Sequence, residues 1–140
     1  MIARKIRQLS VLQACGGAAF TASAHHSFAA IFDEKQELTV EGTLTKVDWM
    51  NPHSYCYVTV KNADGTSTDW AFEGFPPAML KRLGLSRESF VSNIGKKVKV
   101  SYNPAQKKGE PLGYGRVYEF DGGPRIVFTA VAGEDGKLKY

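Results

Sequence analysis

Cysteine is scarce in this chain: Cys15 and Cys56 are the only two in 140 residues. A small scaffold stapled by several disulfides is therefore excluded, and the fold must hold itself by its core. Long hydrophobic runs are missing as well. The most apolar stretch, LSVLQACGGAAF at residues 9–20, falls short of the roughly 20 residues a membrane-spanning helix needs. Acidic residues are absent from residues 1–24, which carry Arg4, Lys5 and Arg7. There is no internal repeat, heptad pattern or low-complexity tract.

What is present at the N-terminus is a charged start (MIARKIRQ), the short apolar stretch, and Ala22-Ser23-Ala24. These are the three parts of a secretory signal peptide, with cleavage expected before His25. A buried N-terminal helix is disfavoured by Gly16-Gly17, because glycine is costly inside a helix. Arg4-Lys5 is not a twin-arginine pair, and LQAC at 12–15 is a poor lipoprotein box. Removing residues 1–24 changes the charge argument. The whole chain is +4, but 15 of its 18 basic residues remain against all 14 acids. The mature part is close to neutral, and nucleic-acid binding loses its main support. Cys56 is left alone, which suits a buried, inert thiol. The expected organisation is a signal peptide at 1–24, an N-terminal arm at 25–36, one barrel domain at 37–131 and a polar tail at 132–140. The expected location is periplasmic or secreted.

The rest of the chain reads as strands. In ELTVEGTLTKVDW, Leu38, Val40, Gly42 and Leu44 share one parity, whereas Val47 and Trp49 share the other. A parity switch near Thr45-Lys46 predicts a bulge or sharp bend. Asn51-Pro52 then breaks the strand. SYCYVTVK places Cys56, Val58 and Val60 on one face, with Tyr55, Tyr57 and Thr59 on the other. NADGTS is a hairpin turn, and TDWAF a third strand. FPPAMLKRLG is a helix, with Pro76-Pro77 at its start and Gly84 at its end. Ser86–Glu88 could open a further short turn with Phe90 as its apolar contact. GKKVKVSYN, YGRVYEF and RIVFTAV are the remaining strands. Three strands, a short helix and three more strands predict an all-β, OB-like small barrel of five to six strands. An open antiparallel sandwich is the alternative.

HHSFAAIFD, EGTLTKVDWMNPH, DWAFE and IGKKVKV together resemble a family of small exported bacterial proteins of unknown function, over roughly residues 25–130. The resemblance implies a compact β-domain and points to His25, His26 and His53. It implies no activity, ligand or catalytic residue. At Cys56 the chain departs from the plain apolar residue expected in such a strand.

The three histidines carry the most chemistry. If cleavage follows Ala24, His25 offers both an α-amine, with an unperturbed pKa of about 7.7–8.0, and a ring nitrogen. These form one chelate ring, and His26 or His53 could complete a nitrogen site. Such a donor set suits copper better than zinc. It is geometrically analogous to the histidine brace of copper oxygenases. Asp48 or Asn51 could orient His53. The competing reading gives the histidines a structural or incidental role. In that reading the protein is a protein- or saccharide-interaction module using an aromatic barrel face of Tyr55, Tyr57 and Trp70. Binding is expected rather than catalysis, because no pair of acids is placed as acid and base. Ser27 lacks a nucleophile-elbow context, and GYGR at 113–116 is no phosphate loop. The expected partners are a metal ion or another exported protein.

Overall fold

A computed structural model describes residues 28–128, together with the backbone of 131–132 and 138–139. The expected signal peptide, His25, His26 and Ser27 lie outside the described residues. So does most of the expected tail.

The order is α1 (Phe28–Ile31), β1 (Leu38–Asp48), β2 (Tyr55–Lys61), β3 (Ser67–Glu73), α2 (Pro77–Arg82) and α3 (Arg87–Val91). Then follow β4 (Lys97–Pro104), β5 (Leu112–Phe120), β6 (Arg125–Val127), β7 (Val131–Ala132) and β8 (Leu138–Lys139). The main sheet runs β3-β2-β1-β4-β5-β6, and a parallel pairing of β3 with β5 closes it. The result is a closed five-stranded barrel with one extra strand, with α2 and α3 inserted between β3 and β4. This is the OB-like small barrel rather than the open sandwich. Among the described residues three short helices are present where one was expected. The strand opening RIVFTAV ends at Val127, and among the described residues β7 pairs with β8 alone.

The first strand does bend. Leu44 faces Val58, and the register slips by one residue before Lys46 faces Tyr57 and Val47 faces Cys56. Leu44 and Val47 are consequently both buried, despite opposite parity. Without the extra residue Thr45, one of them would point to solvent. β1 can thereby pair with β2 along one edge and β4 along the other, as a barrel strand must.

Closure needs a small residue. At the seam Phe72 faces Gly113 and Glu73 faces Tyr114. A Cβ on Gly113 would lie 2.4 Å from Cδ2 of Tyr102, so only glycine lets that ring cover the seam. The inserted helices fill the interior. Pro77 opens α2, and Gly84, at φ +77°, turns the chain after it. Ser86 and Ser89 cap α3 reciprocally, as in a capping box. Each helix sends one fully buried side chain inward, Leu80 and Phe90. Burial of each contributes about 1.5–3 kcal/mol. Phe90 meets Phe128 at 5.6 Å and Tyr118 at 6.2 Å between ring centroids.

Candidate functional site

Pro52 ends the first strand's run, so His53 lies in the turn between β1 and β2. That turn is pinned. Ser54, itself buried, receives the amide of Gly74 on its carbonyl at 2.9 Å. Its hydroxyl donates to the carbonyl of Phe75 at 2.9 Å. His53 is thereby fixed beside the last residue of β3, Glu73.

Glu73 is only 8% exposed. A buried carboxylate needs partners, and two side chains supply them. The Tyr55 hydroxyl donates to Oε2 at 3.0 Å, and Nδ1 of His53 lies against Oε1. Burial, and then the bond to Glu73, pushes the Tyr55 phenol up to about 12. Tyr114, the residue facing Glu73 across the seam, is pushed up chiefly by burial. Nδ1 of His53 is buried and makes no hydrogen bond of ordinary geometry among the described residues, so the Glu73 carboxylate is its neighbour as an ion pair, whereas the side chain as a whole is 43% exposed. The accessible part of the ring is therefore the part carrying Nε2. A carboxylate on Nδ1 favours the tautomer that keeps the proton there, leaving the Nε2 lone pair free to accept or to ligate.

The N-terminal arm reaches the same end of the barrel. Phe28 stands edge-on to Tyr114, with centroids 5.0 Å apart, and the bridge between Phe32 and Ala105 fastens the arm to the end of β4. His25 lies three residues before Phe28, a contour of at most about 10 Å.

The structure separates other residues that the sequence reading grouped together. Asp48 does not orient His53. Its carboxylate accepts from Nζ of Lys46 at 2.8 Å, and that bond holds it below the usual carboxylate range. Asn51 is exposed and makes no side-chain hydrogen bond among the described residues. The acid beside His53 is Glu73, to which the sequence analysis gave no role. Nor do the three aromatics form one platform. Tyr55 and Tyr57 point outward, 6.3 Å apart, with Lys46 over the Tyr57 ring at 4.7 Å. Trp70 faces Val58 and lies on the opposite, interior face, stacked on Phe72 at 5.8 Å and edge-on to Tyr102 at 5.3 Å. Its side chain closes one end of the core.

Cys56 is a free, buried thiol on the inward face of β2. Burial pushes it up to about 12, so at pH 8 about one thiol in 10⁴ is thiolate. Its alkylation should be at least about 100-fold slower in the folded protein than in denaturant. Equal rates, measured with a chromogenic thiol reagent, would place it at the surface.

Among the described residues no three His, Cys, Asp or Glu side chains come together as a metal site, and no helix is long and apolar enough to cross a membrane. A family model, that of a family of unknown function (DUF6152), matches residues 14–114. No curated protein and no solved structure matches the chain.

Proposed function

The chain belongs to this family of unknown function, and on the geometry of its site we propose that it is an exported copper-binding protein that binds rather than catalyses. His53 supplies Nε2 from the barrel rim. His25, made N-terminal by cleavage after Ala24, supplies its amine and ring nitrogen, and His26 is the alternative second imidazole. The observation that carries this reading is the buried Glu73 carboxylate on Nδ1 of His53. Metal-bound histidines regularly give their other nitrogen to such a group. The packing of Phe28 on Tyr114 adds support, since it holds Phe28, three residues after His25, at that rim. Nitrogen donors of this kind favour copper in the divalent series.

The exported protein should have the mass of a 116-residue chain beginning at His25. Copper titrated into that form should bind tightly and give a nitrogen-rich EPR spectrum. Placing one glycine before His25 converts the amine to a peptide nitrogen without touching a side chain. Affinity measured by isothermal titration should then fall more than about tenfold, or about 1.4 kcal/mol. Indistinguishable isotherms for the two forms would remove the amine from the site. A mature terminus upstream of His25, or an acyl group on Cys15, would remove the chelate altogether.

A further inference from the structure

We propose that the groove between α3 and the outer edge of β6 takes an acidic, extended segment of a partner protein as an added strand. β6 ends the order of the main sheet. Its pairing with β5 is bracketed by the bonds from Phe120 N to the Pro124 carbonyl and from Phe128 N to the Arg116 carbonyl. In an antiparallel ladder this alternation turns the N–H and C=O groups of Arg125 and Val127 away from β5. Among the described residues no strand pairs with that edge. An unpaired edge is a template for strand addition, with main-chain bonds giving affinity and flanking side chains giving specificity.

The groove beside it, about 860 Å³, has the half-buried Leu83 and Leu85 and the exposed Val127 as its apolar wall. Its charged lining is entirely basic: Arg82, Lys96 and Arg125. Lys96 donates to Asn93 at 2.9 Å, and Arg125 pairs with Glu119 at 2.9 Å but is 60% exposed. Arg82 has no ion pair among the described residues. In a chain whose expected mature part is nearly neutral, this is a local field and not a reflection of overall composition. It selects a segment that alternates acidic and apolar residues. A second copy of the chain is the wrong occupant, since edge-to-edge pairing would bring two sets of these three cations together. The groove is remote in sequence from His53 and needs no metal.

The test uses the full ¹⁵N-labelled protein and two blocked peptides, one alternating Glu and Val, the other Lys and Val. The acidic peptide should shift amide resonances centred on Arg125, Val127 and Leu85, and protect the Arg125 and Val127 amides from exchange. The basic peptide should do neither. Arg82→Glu with Arg125→Glu, both exposed, should weaken binding at least tenfold. Val127→Pro, which removes one outward N–H without changing charge, should weaken it while the remaining spectrum keeps its dispersion. The proposal is overturned if millimolar acidic peptide shifts none of these amides, or shifts them equally in the charge-reversed protein. It is also overturned if the Arg125 and Val127 amides are already protected in the free chain and lose that protection when it is ended at Phe128. The occupant would then be residues 129–140 of the chain itself.

Discussion

Replacing Glu73 by glutamine should weaken the proposed copper binding about 10- to 100-fold, or about 1.4–2.7 kcal/mol. The substitution keeps the shape of the side chain and leaves an oxygen for the Tyr55 hydroxyl. It removes the negative charge that lies against Nδ1 of His53. The tautomer of the imidazole is then no longer fixed, since a glutamine can donate as well as accept. His53→Ala should cost at least as much, because it deletes the proposed ligand. The informative protein is the double variant. If Glu73 acts only through His53, then adding Glu73→Gln to His53→Ala should cost nothing further, because the two residues form one unit. Titration of the four proteins gives the cycle directly. A Glu73→Gln protein that binds as well as the parent, beside a weakened His53→Ala, would leave His53 a ligand without an orienting acid. An unweakened His53→Ala would take the barrel out of the site.

Gly115→Ala should destabilise the barrel by about 3 kcal/mol, toward the upper end for overpacking a core. The added Cβ would lie 2.1 Å from the Tyr118 hydroxyl oxygen and 2.7 Å from Cζ. The ring has nowhere to go. It is fully buried, with Phe128, Phe90 and Phe72 at centroid distances of 5.4, 6.2 and 6.5 Å. The same geometry makes Tyr118→Phe an unusual core substitution. The Tyr118 hydroxyl is buried beside the Cys56 thiol, a weak partner at best, and makes no hydrogen bond of ordinary geometry among the described residues. An unsatisfied buried group costs about 1–3 kcal/mol, so its removal should be neutral or stabilising. Combined with Gly115→Ala it should recover at least about 1 kcal/mol, because the closest overlap is with the oxygen that has gone. Urea midpoints at unchanged m-value measure all three. A Tyr118→Phe protein more than about 1 kcal/mol less stable than the parent would show that the hydroxyl donates to the Cys56 sulfur after all.

The parts of this protein that were legible in its sequence are those governed by a period within one segment. Side chains alternate along a strand whatever lies beside it. The parity switch between Leu44 and Val47 therefore announced the bulge that Thr45 makes, and the phase of Cys56 with Val58 announced a buried thiol. Pro76-Pro77 and Gly84 marked the ends of α2 for equally local reasons of backbone geometry. His53 stood out because Pro52 ends the first strand's run and only three histidines were available.

Tertiary structure decided what depends on register and closure, which join residues far apart in the chain. Glu73 meets His53 only because Ser54 ties the turn to the residues after β3. Sequence proximity had offered Asp48 and Asn51 instead, but Asp48 is taken by Lys46 two residues away. Trp70 has the right composition for a surface platform. Its pairing with Val58 turns it to the interior, while the neighbouring strand turns Tyr55 and Tyr57 out. The parallel seam between β3 and β5 sets Tyr114 beside Glu73, across some 40 residues, and seats Phe28 on it. None of these contacts has a local signature, because each arises where the sheet meets itself. A strand's own sequence specifies which residues share a face, whereas the partner strand specifies what that face meets.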